Sequence, residues 1–164
     1  MIKAILMDVD GVLTDNKKYY SSDGKVTKVF SVEDGEAIKR AQRHGITIGI
    51  VTADVFWTGI YTRTEDLGID KKYVFMTTMD KITAVNVFCK NYRFDNNEVC
   101  FIGNSIEDVS AMSYCGMAAA PADASQKVLH LLYTMKPSFI STKKGGDGAV
   151  REIIEHILEE QRNL

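Results

Sequence analysis

The residue types most capable of chemistry in this sequence are carboxylates, a threonine, a lysine and an asparagine that stand near the ends of short apolar runs. In chain order they are Asp8, Asp10, Thr52, Lys81, Asn104 and Asp108. An Asp-x-Asp pair that leaves a strand can direct both carboxylates the same way, and with backbone carbonyls and waters it suits Mg²⁺. A threonine hydroxyl and a lysine ammonium can bind phosphoryl oxygens, and an aspartate can attack phosphorus directly. The set therefore favours magnesium-assisted phosphoryl transfer.

Each of these residues taken alone has an ordinary structural explanation. A single Asp-x-Asp often caps a helix or lines a loop, and Thr52 can make a local hydrogen bond at a strand end. Lys81 can be a solvated lysine, and Asp108 can decorate a helix. What favours catalysis is the order Asp-x-Asp-Gly, Thr, Lys, Gly-Asn-x-x-x-Asp along one framework of strands and helices.

The elements that position these residues alternate along the chain. Apolar runs predict strands at 3–8, 46–52, 73–76, 99–103 and 116–120. They do not alternate with polar residues, as is typical of strands buried on both faces. Helical spacing predicts helices at 34–44, 54–67, 80–92, 106–115, 123–135 and 148–160. This alternation predicts an α/β fold with a doubly wound parallel sheet, in which ligands bind at the carboxyl ends of the strands.

Residues 17–31 interrupt the alternation. They read as two strands joined around Ser22-Asp23-Gly24, and Asp-Gly is a strong hairpin signal. We therefore expect a β-hairpin inserted after the first strand.

The composition fits one folded domain, which we expect to span 1–164. The chain carries 20 Lys and Arg against 22 Asp and Glu, a formal charge of −2, which argues against a dedicated nucleic-acid binder. Its three cysteines are odd in number and form no C-x-x-C pair, so we expect reduced core residues. The sequence has neither a signal peptide nor a membrane-length apolar run. A cytoplasmic protein with no membrane partner is the resulting expectation.

The polar residues, in this order, resemble the four motifs of the haloacid dehalogenase (HAD) superfamily. DVDGVLTD at 8–15 matches the first motif, Thr52 the second, Lys81 the third and GNSIEDVSAM at 103–112 the fourth. More narrowly, the chain is similar to small HAD phosphatases without a cap domain that act on 3-deoxy-octulosonate 8-phosphate. It is also similar to their relatives for nine-carbon sialic-type 9-phosphates, including domains attached to acylneuraminate cytidylyltransferases. The hairpin, SVEDG at 31–35 and GGDGAVREI at 145–153 support this likeness.

The resemblance implies specific catalytic roles. Asp8 would be the nucleophile, and Asp10 the general acid and base that protonates the leaving oxygen and then activates water. Thr52 and Lys81 would hold phosphoryl oxygens, with Lys81 also orienting Asp8. The activity implied is that of a phosphomonoester hydrolase acting on a small sugar phosphate.

The resemblance also implies Mg²⁺ as the cofactor, with Asp8, the backbone carbonyl of Asp10, Asn104 and Asp108 as ligand positions. Asp108 could instead hold a water or Lys81. The fourth motif usually reads Gly-Asp-Asp, and here an asparagine ligand brings no charge, at a cost of roughly a few kcal/mol of attraction. Two outcomes are open: an active enzyme with weaker magnesium affinity, or a catalytically weakened module that serves oligomerisation of a cytidylyltransferase system. We expect activity, because the other motif residues are intact.

A second departure concerns the substrate. The octulosonate phosphatases usually carry arginine where this chain has Glu33, Asp54 and Asp147. Acids at these positions would disfavour a substrate carboxylate. The sialic-type enzymes tend to carry acids at the positions of Asp54 and Asp147, so this likeness implies a nine-carbon keto-sugar 9-phosphate or another polyol phosphate, with octulosonate 8-phosphate as the alternative. Asp54, Arg63 and Asp147 are the predicted substrate-binding residues. The structural alternative is that the acids pair with Arg63 or Arg151 and never touch substrate.

Relatives without a cap assemble as tetramers through their hairpins. The hairpin here is expected to extend from the domain, yet it carries the large apolar or aromatic residues Tyr19, Tyr20, Val26, Val29 and Phe30. We therefore expect a homotetramer.

Two other classes fit the sequence less well. A phospho-accepting receiver domain would place its acceptor aspartate on a middle strand and its lysine last, whereas Lys81 here precedes an acidic final motif. A nucleotide-binding module would need a G-x-G-x-x-G or Walker A sequence, and neither is present.

Overall fold

The sheet of this protein is parallel and has the predicted motifs at the carboxyl ends of its strands. The computed structural model describes residues 1–54, 58–76, 80–135 and 137–163. Within them, six parallel strands form one sheet in the order β5-β4-β1-β6-β7-β8. The strands are β1 (Ala4–Met7), β2 (Tyr19–Tyr20), β3 (Val26–Thr27), β4 (Thr47–Val51), β5 (Val74–Phe75), β6 (Val99–Ile102), β7 (Met117–Ala120) and β8 (Ser138–Ile140). The helices are α1 (Val32–Arg43), α2 (Thr58–Asp66), α3 (Lys81–Tyr92), α4 (Val109–Tyr114), α5 (Gln126–Thr134) and α6 (Ala149–Arg162).

The central strand is buried on both faces, as its unbroken apolar run predicts. Ile5 and Met7 of β1 belong to one hydrophobic cluster together with residues of α1 and α6. Ala4 and Leu6 belong to a second cluster on the opposite face, with residues of α3, α4 and α5. Successive side chains of a strand point to opposite faces, so one strand contributes to both cores. The α/β doubly wound fold is confirmed.

Helices α1 and α6 are joined at their amino ends by a buried aspartate. The hydroxyl of Ser31 caps α1 by accepting from the amide of Asp34 at 3.2 Å. The carboxylate of Asp34 in turn accepts from the amides of Gly148 at 3.3 Å and Arg151 at 2.8 Å, at the start of α6. Burial raises the pKa of Asp34 against these hydrogen bonds. The segments 31–35 and 145–153 therefore form one structural unit.

The predicted hairpin is present but short. Strands β2 and β3 pair antiparallel with Tyr19 opposite Thr27 and Tyr20 opposite Val26. The turn places Gly24 at a φ of +79°, where an L side chain would be strained. Ser22-Asp23-Gly24 is thus the turn that the sequence predicts.

Several predicted boundaries differ from the structure. Strand β8, the outermost strand beside β7, was not predicted from the sequence. The helix predicted at 106–115 divides into a 3₁₀ turn at Ile106–Asp108 followed by α4. Of the helix predicted at 54–67, residues 55–57 lie outside the described residues, and α2 covers Thr58–Asp66.

The cysteines are free and buried, as expected from their number and spacing. Burial raises the pKa of the Cys115 thiol to about 12. No helix within the described ranges is long and apolar enough to cross a membrane.

Candidate active site

The first and fourth motifs meet at the centre of the sheet. Strand β1 lies between β4 and β6, and the chain winds outward in opposite directions on its two sides. In doubly wound sheets such a reversal opens a crevice at the carboxyl ends of the strands. Asp8 directly follows β1, and its amide donates to the carbonyl of Ile102 at the end of β6 at 3.1 Å. Asp8 and the Gly103-Asn104-Ser105 turn therefore border the same crevice.

Lys81 joins the first motif to the fourth. Its ammonium lies 2.8 Å from Oδ2 of Asp8 and 2.6 Å from Oδ1 of Asp108, and all three side chains are buried. Burial acts to lower the pKa of Lys81, but the charges and hydrogen bonds of the two carboxylates outweigh it, so the pKa lies above its ordinary value. The lysine therefore stays charged and fixes the orientation of Asp8.

The other oxygen of Asp108 shapes the fourth motif. Its Oδ2 accepts from the amides of Asn104 and Ser105, each at 2.9 Å, and from the Ser105 hydroxyl at 3.1 Å. A Cβ on Gly103 would lie 2.4 Å from the Cβ of Asp108, so only glycine allows this close approach. Both carboxylate oxygens of Asp108 are thus engaged, which suits the predicted role of holding Lys81. Direct ligation of a metal by Asp108 stays a prediction.

Asn104 packs against the first motif and has a buried side-chain oxygen. Its Oδ1 accepts no hydrogen bond from the residues that the structure describes. A Cβ on Gly11 would lie 2.1 Å from Nδ2 of Asn104, and Gly11 itself has a φ of +83°. An unpartnered buried acceptor is costly in a folded protein unless something else binds it. The Asn104 oxygen beside the Asp8 turn is therefore a suitable ligand for a cation.

The charges around the crevice also fit a divalent cation. Four carboxylates and two ammonium groups form linked ion pairs there, which leaves two negative charges. The groups are Asp8, Asp10, Asp54, Asp108, Lys28 and Lys81. Among the described residues no group of three or more His, Cys, Asp or Glu is arranged to hold a metal. The candidate ligands here include an asparagine and a backbone carbonyl, which lie outside that definition.

The predicted nucleophile has an altered acidity. Burial raises the pKa of Asp8 to about 6, and the nearby charge of Asp108 adds to the rise, while Lys81 opposes it. Oδ1 of Asp8 accepts from the amide of Val9 at 2.7 Å. A bound cation would favour the ionised carboxylate that nucleophilic attack needs.

Lys28 enters the crevice from the hairpin, and sequence reasoning missed it. Its ammonium lies 2.7 Å from Oδ1 of Asp10 and 2.6 Å from Oδ2 of Asp54, and its side chain is 1% exposed. Burial acts to lower the pKa of Lys28, but its hydrogen bonds to the two carboxylates outweigh this effect and raise it. Lys28 belongs to none of the motifs, and the apolar residues of its hairpin predicted association with other chains and not contact with the site.

Thr52 lies at the predicted position at the end of β4. It is buried, its amide donates to the carbonyl of Phe75 at 2.9 Å, and its hydroxyl accepts from the amide of Asp54 at 3.2 Å. A hydroxyl that accepts one hydrogen bond can also donate its proton, and a role for Thr52 in holding a phosphoryl oxygen stays a prediction.

The predicted substrate-binding residues occupy different surroundings. Arg63 donates to Asp66 at 2.8 Å and to the carbonyl of Ser31 at 3.0 Å, and it lies over the ring of Phe30. These contacts tie α2 to the start of α1. Asp147 is exposed, in a loop whose Gly145 and Gly146 pack against the backbone of the first motif. Substrate contact by either residue stays a prediction.

Two of the three acids that stand where related phosphatases usually carry arginine form ion pairs. Glu33 pairs with Arg151 at 2.7 Å, one of the pairs that the structural alternative named. Asp54 pairs with Lys28, which that alternative did not include. These paired acids repel a substrate carboxylate less than unpaired acids would.

Comparison with known proteins points the same way as the site. Residues 61–138 match the haloacid dehalogenase-like hydrolase family. The 3-deoxy-D-manno-octulosonate 8-phosphate phosphatase KdsC of Yersinia pestis is 31% identical over 163 residues, which cover 99% of this chain and 83% of that protein. The KdsC phosphatase of Haemophilus influenzae is 32% identical over 160 residues, with coverages of 98% and 84%.

A solved structure resembles the whole fold. The 3-deoxy-D-manno-octulosonate 8-phosphate phosphatase of Moraxella catarrhalis, in complex with a magnesium ion, a phosphate ion and a KDO molecule, matches with a TM-score of 0.89. It is 31% identical, and the match covers 99% of this chain and 88% of that chain.

Proposed function

Because this chain belongs to the haloacid dehalogenase-like hydrolases and is a phosphomonoester hydrolase, we propose that it dephosphorylates an acidic keto-sugar phosphate through an aspartyl-phosphate on Asp8. The observation that carries this proposal is the buried Asp8–Lys81–Asp108 chain beside the unpartnered oxygen of Asn104. It supplies an oriented nucleophile, a fixed positive charge and an open ligand position at one edge of the sheet.

The chemistry divides between two aspartates. A carboxylate oxygen of Asp8 forms a bond to phosphorus while the bond from phosphorus to the sugar oxygen breaks, and Asp10 gives its proton to that oxygen. Asp10 then takes a proton from a water that attacks phosphorus, which releases phosphate and restores Asp8. Lys81 and Thr52 hold phosphoryl oxygens whose charge grows during each transfer.

Magnesium would be held by Asp8, the backbone carbonyl of Asp10 and Oδ1 of Asn104. It would neutralise charge on the phosphoryl oxygens and on the Asp8 carboxylate during attack. The related phosphatase of Moraxella catarrhalis supports this assignment, since its structure contains both magnesium and phosphate. The other possibility, a weakened module for oligomerisation, gains no support from relatives that are phosphatases by name.

The sugar is either the eight-carbon acid of the related phosphatases or a nine-carbon sialic-type acid. The relatives favour 3-deoxy-octulosonate 8-phosphate, and the ion pairs of Glu33 and Asp54 reduce the repulsion expected for its carboxylate. Asp147 stands where the octulosonate phosphatases usually carry arginine and the sialic-type enzymes tend to carry an acid, and this likeness favours the nine-carbon class.

The test is phosphate release from 3-deoxy-octulosonate 8-phosphate and from a nine-carbon sialic-type 9-phosphate, each with Mg²⁺ and with chelator. We expect release that requires Mg²⁺, and the substrate with the higher kcat/KM identifies the sugar. No release from either substrate at millimolar Mg²⁺ would contradict the proposed function.

A further inference from the structure

Two lysines in this site hold two aspartates by the same arrangement. Lys81 lies between Asp8 and Asp108, and Lys28 lies between Asp10 and Asp54. In each case one carboxylate lies on the first motif and the other lies elsewhere in the chain. The first arrangement fixes the nucleophile Asp8. The second would fix Asp10 in the same way.

The contacts of Lys28 are suited to fixing the side chain of Asp10. Its ammonium bonds to both carboxylate oxygens of Asp10, at 2.7 and 2.9 Å, which restrains rotation of the carboxylate as well as its position. The Asp10 side chain is 32% exposed, so packing alone leaves it freedom to turn. Proton transfer depends on the direction of a carboxylate, and a group that restrains it removes that freedom.

Asp54 is placed to hold the lysine. Its Oδ2 lies 2.6 Å from Nζ of Lys28, and its amide donates to the buried Thr52 hydroxyl at the end of β4. A buried ammonium that loses a carboxylate partner is strongly destabilised, so the lysine needs both acids. Asp54 therefore connects the hairpin lysine to the rigid sheet.

We propose that Lys28 is a positioning residue of this phosphatase: anchored by Asp54, it holds the carboxylate of Asp10 in the orientation for proton transfer. The inference rests on the proposed function. It also gives Asp54 a role different from the predicted substrate contact, and it makes the hairpin part of the catalytic apparatus.

The test compares four variants with the wild type at saturating Mg²⁺. They are Lys28→Met, Lys28→Arg, Asp54→Asn and the double variant Lys28→Met/Asp54→Asn, with kcat and KM measured on p-nitrophenyl phosphate and on the preferred sugar phosphate. Lys25→Met is the matched control, because Lys25 belongs to the same hairpin but its side chain is 81% exposed. Thermal unfolding establishes that each variant is folded.

We expect Lys28→Met to lower kcat about ten- to hundredfold, because general acid and base catalysis by a positioned group is worth about a hundredfold or more. KM should stay within about threefold of the wild type, since the lysine acts on a step after binding. Lys28→Arg should recover part of kcat, and the double variant should be no slower than Lys28→Met, because both changes disable one unit. Lys25→Met should behave as wild type.

Crystal structures provide a readout independent of turnover. In Lys28→Met the carboxylate of Asp10 should turn away from its wild-type direction, whereas it should keep that direction in Lys25→Met. An unmoved Asp10, even if Lys28→Met fails to turn over, would overturn the inference.

The kinetic outcomes separate this inference from the proposed function. An active wild type with normal kcat in Lys28→Met overturns the inference alone. A rise in KM without loss of kcat, or losses that multiply in the double variant, also overturns it and makes Lys28 or Asp54 a substrate contact. A wild type that hydrolyses neither substrate overturns the proposed function and the positioning role together.

Discussion

At the residue scale, the uncharged side chain of Asn104 distinguishes this site from the usual fourth motif. Its oxygen is buried and unpartnered within the described part of the chain, so it is available to a cation but contributes only a dipole. The carboxylate that the motif usually carries would add a full charge next to Mg²⁺.

Asn104→Asp should therefore tighten magnesium binding. The two side chains have nearly the same shape, so the change fits beside Gly11. We expect the Mg²⁺ concentration for half-maximal activity to fall about tenfold or more, which corresponds to about 1.4 kcal/mol. Asn163→Asp, on the exposed carboxyl end of α6, adds the same charge far from the site and should leave the magnesium requirement unchanged. Equal behaviour of the two variants would remove Asn104 from the ligand set.

The raised pKa of Asp8 makes a prediction about stability in the presence of chelator. Because the folded pKa of about 6 exceeds the ordinary 3.8, the folded protein binds more protons than the unfolded chain between these values. The contribution of Asp8 to stability is thus present at low pH and is lost as the pH rises through 6. Compared with that of Asp8→Asn, the free energy of unfolding of the wild type should fall by up to roughly 3 kcal/mol over this pH window.

Urea unfolding of both proteins from pH 4 to pH 7 measures this difference, and any constant offset between them does not affect its slope. Asp15→Asn is an informative control, because a hydrogen bond from Tyr19 lowers the pKa of Asp15. The wild type should gain stability relative to that variant as the pH rises. A difference between wild type and Asp8→Asn that stays flat with pH would refute the buried charge at Asp8.

Sequence reasoning located the residues that lie in motifs but not their partners. The motif residues could be placed because each follows a strand, or begins a helix, near the carboxyl ends of the strands. They are Asp8, Thr52, Lys81 and Asn104. Lys28 could not be placed, because its contact with Asp10 spans 18 residues and depends on how the hairpin folds back. Asp54 was predicted to bind substrate because related phosphatases usually carry arginine at that position, and its pairing with Lys28 was not predicted.

At the element scale, the glycine-rich loop before α6 forms a wall of the site. The amide of Gly146 donates to the carbonyl of Val12 at 3.0 Å, and a Cβ on Gly146 would lie 2.6 Å from the carbonyl carbon of Thr14. The loop is thus packed directly on the turn of the first motif. The glycines permit this close packing because they carry no side chain.

Gly146→Ala should therefore damage both stability and activity. Its φ of +69° and the contact with Thr14 together should cost about 2–4 kcal/mol, and the displaced turn should lower kcat about tenfold or more. Gly45→Ala is the matched control, since Gly45 has a φ of +81° but open space around its Cβ position. That variant should lose only about 1 kcal/mol and keep its kcat. Similar losses in the two variants would show that backbone strain, not packing, is responsible.

The elements that the sequence predicted well are those with long apolar patterns. Strand β1 and helix α6 bury nearly every residue that their periodicity assigned to the core. Strand β8 was missed because its three residues are only half-buried and follow the end of α5 closely. Short edge strands carry too little pattern to be distinguished from a loop.

At the scale of the whole molecule, the hairpin presents apolar side chains that the described part of the chain leaves exposed. Tyr20 is 69% exposed and Val29 is 56% exposed. Exposed apolar side chains grouped on a two-stranded excursion favour association with another surface. We therefore keep the homotetramer as a prediction, with the hairpins as its contact.

Light scattering at micromolar concentration tests this assembly. The wild type should have the mass of four chains, and Tyr20→Lys should shift it toward smaller species by placing a charge in the contact. Tyr133→Lys is the control, since Tyr133 on α5 is 75% exposed but lies outside the hairpin. A wild type that remains a monomer would refute the prediction, as would equal masses for the two variants.

The most direct test of the proposed mechanism is to detect the phosphoryl group on Asp8. The wild type and Asp10→Asn are mixed with the preferred sugar phosphate and Mg²⁺, quenched in acid and digested for mass spectrometry. We expect the peptide with Asp8 to gain the mass of one phosphoryl group in the wild type. In Asp10→Asn the group should accumulate when p-nitrophenyl phosphate replaces the sugar phosphate, because its leaving group needs no proton while release by water is still slowed. Asp8→Asn should neither gain that mass nor release phosphate. Full activity in Asp8→Asn, or a phosphoryl group on another residue, would contradict the mechanism.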